Sequence, residues 1–233
     1  MNRNEYINNA LKDYSIISKL SDKNDCLVLR IRNKQLNKDL VLRSFSTKID
    51  AYSELYKIKC DNLPLIYDVI DLDDGQIVLE EFIDGLTIEQ VMQSGKYNYS
   101  GAKKVIYSVC CGLCALHELG LVHRDVKPEN VIIDNNGRVV LIDFNASRKQ
   151  SQNSKDTVIM GTVGYASPEQ LGLSQTDART DIYAVGVLLN VMITGEHPSK
   201  KLARGKAKGI IKKCTLLNAN ERYKTVQKLI NAL

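Results

Sequence analysis

The stretch that most constrains this chain is residues 123–145, which read H-R-D-V-K-P-E-N, then V-I-I-D-N-N-G-R-V-V-L-I, then D-F-N. Its middle is β-branched and apolar on both sides of Asn136-Gly137, a dipeptide suited to a tight hairpin turn. Strands are therefore predicted over 131–133 and 138–142. The two ends of an antiparallel hairpin lie side by side, so Asn130 just before it must sit near Asp143 just after it. A carboxylate and an amide oxygen converging beside Asp125, with Lys127 between them, make a site for Mg²⁺ and phosphate.

A length of 233 residues allows one large domain or two small lobes with a buried core. The net charge of +5 admits an acidic or phosphorylated partner but does not demand nucleic acid. The opening residues 1–14 are polar and lack the apolar run of a leader, and the most apolar run, 184–193, is too short to cross a bilayer. The 6 cysteines show no disulfide framework. A cytoplasmic protein with no nucleic-acid or membrane partner is expected. Cys111, Cys114 and His117 invite a zinc reading, but they lie in a helical pattern with no second ligand pair, where Cys serves as a small core residue.

Taken in order, the chain opens with a short helix over 5–13. Strands follow at 14–20, 26–32 and 40–45, then a helix over 49–59 with Ala51, Leu55 and Ile58 at helical spacing. Two more strands, 65–70 and 76–82, flank an Asp73-Asp74-Gly75 turn. Beyond residue 85 helical patterns dominate: one begins at Thr87 as N-cap, and an amphipathic one over 103–119 stops at Gly120. A polar loop leads to residue 166. The helix over 180–189 is apolar almost all round and belongs in an interior. A basic run over 200–208 reads as a solvated face, and helices over 209–215 and 224–233 close the chain. Strands first and helices later make an α+β protein.

H-R-D-V-K-P-E-N followed by D-F-N resembles the catalytic and metal-binding loops of eukaryotic-type (Hanks-type) Ser/Thr protein kinases, here in a small stand-alone form like those of bacteria. The resemblance implies a shortened bilobal fold, one kinase domain with an antiparallel β N-lobe and hinge over 1–83 and a mostly helical C-lobe over 84–233. It implies transfer of the ATP γ-phosphate to Ser/Thr hydroxyls of a protein substrate, with Mg²⁺ (or Mn²⁺). In that scheme Asp125 accepts or orients the hydroxyl proton, Lys127 offsets γ-phosphate charge, and Asn130 and Asp143 hold the metal. On the ATP side Val28 covers the adenine, Arg43 stands in place of the phosphate-contacting Lys and Glu54 is its helix partner. Leu79 is the gatekeeper, the backbone of Glu80 and Phe82 meets the adenine edge, and Ile132 completes the set.

Further positions match. Ser167-Pro168-Glu169 resembles the A-P-E that ends an activation segment, and 161–165 resembles the segment that receives the substrate, with Thr162 a structural Thr. Arg124 is the usual partner of a phosphorylated segment, for which Ser151, Ser154 and Thr157 are candidates. Asp181 is expected to hold the backbone of the catalytic loop, and Glu169 to pair with Arg222. The chain also departs from the pattern. Ser21, Lys23 and Cys26 occupy the glycine positions of the phosphate loop, and the docking element around 200–208 is reduced. Asn145 replaces the Gly of D-F-G, as a residue tolerant of left-handed backbone. Two readings follow: an active Ser/Thr kinase with an eroded nucleotide clamp, and a pseudokinase acting as a non-catalytic nucleotide- or protein-binding scaffold. A small-molecule phosphotransferase fits poorly with 161–169.

Overall fold

The computed structural model of the chain describes residues 1–23, 26–149, 162, 164–171 and 175–233. It forms two compact units, one of Met1–Cys60 with Pro64–Ile83 and the other of Asp61–Leu63 with Asp84–Leu233. The candidate modification sites Ser151, Ser154 and Thr157 lie outside the described residues.

The first unit is a five-stranded antiparallel sheet with strand order β1-β2-β3-β5-β4. The strands are β1 (Tyr14–Lys23), β2 (Cys26–Asn33), β3 (Asp39–Phe45), β4 (Ile66–Leu72) and β5 (Gly75–Glu81). Their alternation sorts side chains onto two faces. Leu29, Ile31, Leu40, Leu42, Ile77 and Leu79 build the apolar cluster of one face, over which Tyr6 and Ile7 of helix α1 (Arg3–Ala10) pack. α1 starts at a capping box, in which the Asn2 side chain accepts from Glu5 N–H and the Glu5 carboxylate accepts from Asn2 N–H. Val28, Val41, Arg43, Val78 and Glu80 share the other face, as the registers Val28↔Arg43, Arg43↔Val78 and Val41↔Glu80 require.

β1 runs on to Lys23, which pairs with Cys26, beyond the end expected at residue 20. Helix α2 (Asp50–Leu55) is shorter than the 49–59 expected. Its last turn tightens into i→i−3 bonds, from Lys57 N–H to Glu54 O at 3.1 Å and Ile58 N–H to Leu55 O at 3.1 Å. Ala51, Tyr52 and Leu55 supply its buried side, with Tyr52 against Phe45 at 5.4 Å between ring centroids.

The second unit is built on helices α3 (Ile88–Gln93), α4 (Tyr99–Glu118), α5 (Ala178–Thr194), α6 (Lys206–Cys214) and α7 (Val226–Ile230). Thr87 caps α3 in a box with Gln90, Asn98 caps α4, and Asp177 caps α5 in a box with Thr180. α5 is the interior helix, with Ile182, Val185, Val187, Leu188, Leu189 and Met192 all buried. Among the described residues, no helix is long and apolar enough to cross a membrane.

Small strands complete this unit: β6 (Gly85–Thr87), β7 (Leu121–Val122), β8 (Val131–Asp134), β9 (Val139–Leu141) and β10 (Arg148–Lys149). β8 and β9 are the two arms of the expected hairpin, with Val131 opposite Leu141. Gly137 takes φ 83° in its turn, and the Asp134 carboxylate accepts from the N–H groups of Asn136 and Arg138, each at 2.8 Å.

The strap Asp61–Leu63 lies along β9 and belongs to the second unit. Leu141 N–H donates to Asn62 O at 2.9 Å, Asn62 Nδ2 donates to Val139 O at 2.8 Å, and Arg138 donates to Asp61 O and Leu63 O. Gly112 on α4 admits this close approach, since a Cβ there would stand 3.0 Å from Asn62 O.

Candidate active site

The hairpin brings its two flanks together as arithmetic required: Ile142 N–H donates to Asn130 O at 2.9 Å, which sets Asp143 beside Asn130. A 3₁₀ turn over Pro128–Asn130 then folds Asn130 back onto Asp125. Asn130 Nδ2 donates to Asp125 O at 2.8 Å and to its Oδ2 at 2.9 Å. Because the amide nitrogen is used inward, Asn130 Oδ1 is turned away from Asp125 as a hard oxygen donor. Asp143 follows the hairpin arm bonded to Asn130, and an amide oxygen and a carboxylate are donors of the kind that Mg²⁺ or Mn²⁺ takes.

Asp125 is held on both carboxylate oxygens. Thr162 Oγ1 donates to Oδ1 at 2.7 Å, and Lys127 Nζ meets Oδ2 at 2.7 Å while also donating to Thr162 Oγ1 at 2.7 Å. Burial opposes the charge on Asp125, but the hydrogen bonds from Lys127 and Thr162 outweigh it and hold the carboxyl below its ordinary range. The group is therefore ionised at neutral pH and better suited to orienting a hydroxyl than to removing its proton early.

Beneath this network, Asp181 at the start of α5 accepts from His123 N–H at 2.9 Å and Arg124 N–H at 2.8 Å. His117 Nε2 donates to the same carboxylate at 2.7 Å. Burial again works against ionisation, and these donors overcome it, so the Asp181 carboxyl also lies below its usual range. Thus His117, weighed above as a zinc ligand, is occupied with Asp181. The His123 ring stands edge-on to Phe144, centroids 5.4 Å apart, and burial pushes its imidazole below the ordinary value. Arg124 and Asp143 adopt left-handed backbone, at φ 68° and 69°. Asn145 does not, which corrects the expectation for the D-F-N loop: the strained residue is the Asp, two positions earlier.

A short 3₁₀ helix over Pro168–Leu171 carries Glu169. Arg222 grips it with both terminal amino groups, Nη1 to Oε1 at 2.6 Å and Nη2 to Oε2 at 2.9 Å. Thr180 adds a third bond to Glu169 at 3.0 Å. Gln170 Nε2 donates to Arg124 O at 2.8 Å, which ties this segment to the catalytic loop.

The family model for the protein kinase domain matches residues 17–232. The chain belongs to the protein kinase family. Among curated relatives, a probable serine/threonine-protein kinase PknB of Lactococcus lactis is 31% identical over 171 residues, covering 72% of this chain and 27% of that protein. The serine/threonine-protein kinase PknL of Mycobacterium tuberculosis is 41% identical over 130 residues, covering 54% of this chain and 33% of the relative. The chain thus matches about a third or less of the length of these relatives.

In this kinase domain the ATP-side residues of the first unit need two corrections. Leu79 does not share a face with Arg43. It pairs with Leu42 and lies in the apolar cluster on the opposite side of the sheet, because one step along a strand reverses the side chain's direction. The residue of β5 on the side of Arg43 is Glu80, and Arg43 Nε donates to Glu80 Oε1 at 2.6 Å. Nor does the Glu80 backbone reach an adenine edge. Glu80 stands inside β5 with Val41 on one side and Ile66 on the other, so its peptide groups serve the sheet.

Glu54, the expected partner of Arg43, accepts from Lys57 Nζ at 2.8 Å. Val28 is buried directly opposite Arg43 on β2. Phe82 follows the end of β5, with the Arg30 guanidinium 4.0 Å from its ring centroid. In the second unit Ile132 lies on β8 opposite Val140, half-buried.

Proposed function

We propose that this domain transfers the γ-phosphate of ATP to Ser/Thr hydroxyls of a protein substrate, in the cytoplasm, using an atypical nucleotide clamp. The observation that carries the proposal is the network joining Asp125, Lys127, Asn130 and Thr162, which holds one ionised carboxylate in place on both of its oxygens. Asn130 and Asp143 would hold the divalent metal of Mg-ATP, which would supply charge neutralisation for the phosphate oxygens.

The remaining work belongs to the chain's own side chains. Asp125 orients the incoming hydroxyl and receives its proton as the bond to phosphorus forms. Lys127, already at Asp125, supplies positive charge on the side of the attacking oxygen. Thr162 locks the unused rotamers of both, so little reorganisation remains at the moment of transfer. Val28 and Phe82 in the first unit, and Ile132 in the second, are the positions to which the family resemblance assigns the base. Ser21, Lys23 and Cys26 in place of glycines, with Arg43 in place of Lys, constitute the departure in the clamp.

A labelled-ATP assay with Mg²⁺ or Mn²⁺ tests the proposal. Asp125→Asn is expected to lose about a hundred- to ten-thousand-fold in rate. Equal background incorporation in wild type and variant would sink it. The burial of Arg43 against a carboxylate favours a second reading, a pseudokinase that binds nucleotide or protein without turnover. A thermal shift with Mg-ATP in the absence of any incorporation would select that reading.

A further inference from the structure

The basic segment 200–208 is largely exposed, as expected from the sequence, but it is not a loose surface loop. The chain before α6 is folded around Asn190, which is fully buried on α5. Asn190 Nδ2 donates to Glu196 O at 2.7 Å and to Lys201 O at 2.8 Å, and its Oδ1 accepts from Ala203 N–H at 2.9 Å. His197 O closes the turn, accepting from Lys200 N–H at 2.9 Å and Lys201 N–H at 3.1 Å. Lys200, Lys201 and Arg204 are therefore exposed side chains on a backbone fixed from the interior.

α6 follows at once and continues the charge. Ala207, Ile210, Ile211 and Cys214 form its buried side, while Lys206, Lys208, Gly209, Lys212 and Lys213 are exposed. At about 3.6 residues per turn, Lys208 and Lys212 line one flank of the exposed side, Lys206 and Lys213 the other, and Gly209 lies between them. The sequence supplies no Asp or Glu between Glu196 and Glu221. Of the cations in 200–213, only Lys201 has an ion pair among the described residues, 3.8 Å from Glu196.

This exposed side works against its own helix. Lys206 and Lys208 stand at the positive end of the helix dipole, Lys208 and Lys212 repel each other one turn apart, and glycine is a poor helix former. No side chain caps the helix start. A Cβ on Gly209 would meet nothing within 4 Å, so packing does not require the glycine. These choices cost stability with no return inside the domain, and local conflicts of this kind mark surfaces shaped for a function. Lysines flanking a stretch of bare backbone suit an anionic chain laid close against the helix. The exposed side of α6 has no aromatic residue for bases to stack on and no apolar residue to enter a bilayer.

We propose that α6 and the segment 200–204 before it form a docking surface for an acidic, Asp/Glu-rich segment of a partner protein. The surface lies within the second unit and needs no phosphoryl transfer, so a binding measurement tests it whatever the labelled-ATP assay returns.

Fluorescence anisotropy of a labelled peptide of alternating Glu and Ser, titrated with the full chain at about 0.15 M salt, reads this binding. Lys206→Gln/Lys208→Gln/Lys212→Gln is expected to weaken it about tenfold, the scale of three exposed charge contacts. Gln and Lys have similar helix propensity, so α6 is kept. Lys12→Gln/Lys103→Gln/Lys104→Gln removes the same charge from exposed positions elsewhere, and is expected to leave the affinity within about twofold. Gly209→Gln is expected to raise the melting temperature and yet weaken the peptide severalfold, a combination that a purely structural role for this site would not give.

Equal losses in the two triple variants would reduce the effect to net charge and overturn the proposal, as would a peptide that fails to bind. Wild-type affinity in Gly209→Gln would overturn the close approach to the helix. Tighter binding of duplex DNA or of phosphatidylserine vesicles through the same three lysines would overturn the assignment to a protein partner.

Discussion

At the scale of single residues, Asp181 does more structural work than its position on an interior helix advertises. One fully buried carboxylate accepts from His117, His123 N–H and Arg124 N–H, and so fixes two consecutive peptides of the catalytic loop from below. Asp181→Ala leaves those donors buried without an acceptor and is expected to cost about 3–5 kcal/mol, read from urea unfolding. Asp181→Asn keeps one carbonyl oxygen and should cost less. A loss below about 1 kcal/mol for the alanine variant would contradict this account. The role of Asp181 was readable before the structure, as was the Glu169–Arg222 pair, because family spacing named both partners. Glu80 was not, since the reading of 76–82 stopped at an apolar strand and did not count which way each side chain faced. The left-handed residue of the D-F-N loop was misplaced for a related reason: tolerance of a conformation at Asn145 says nothing about where the chain needs it.

At the scale of elements, local chemistry and packing divide the work. The start of α3 was legible because caps are local, and Thr87 does there what its type predicts. The caps Asn98 and Asp177 were not read, and α4 and α5 begin at Tyr99 and Ala178, ahead of the expected 103 and 180. Helix lengths were less legible. α2 stops at Leu55 although Ile58 continues the apolar spacing, because the chain leaves there for the strap along β9. The packing of α5 on α6 shows what periodicity cannot reveal. A Cβ on Gly186 would stand 2.3 Å from Cys214 Cβ, so the two helices meet through a glycine. Gly186→Ala forces them apart and is expected to cost about 1–3 kcal/mol by overpacking, seen as a fall of several degrees in melting temperature. Since the clash is with Cβ and not the sulfur, the loss should persist undiminished in a Cys214→Ala background. Relief by that second change would show that the thiol, not the backbone approach, sets the spacing.

Across the whole molecule, the buried histidine His123 and the paired carboxylates shift in one direction. Burial pushes His123 below its ordinary value, while partners hold Asp125, Glu169 and Asp181 below theirs against the effect of burial. On the first unit's sheet, hydrogen bonds from Arg32 and then Arg30 bring Asp39 to about 2. In every case the unfolded chain binds protons at a higher pH than the native one, so stability rises with pH. The contribution of His123 is present above about pH 6.5 and is lost on acidification below it. The carboxylates add a second loss that begins as the pH falls below about 4. Melting temperature measured from pH 3 to 8 should therefore climb in two stages and then level, and a curve falling between pH 5 and 7 would contradict this.

The strap Asp61–Leu63 bears on how the chain can be cut. A fragment starting at Asp84 would contain every residue of the catalytic network yet leave the outer edge of β9 bare, with the N–H of Leu141 and the C=O of Val139 open to any passing strand. Such a fragment should self-associate on size exclusion. A mixture with a peptide spanning 59–65, which restores the strap, should not. The tidy boundary at the end of the sheet is therefore the wrong place for scissors: three residues from the far side of it act as the selvedge of the other unit's cloth.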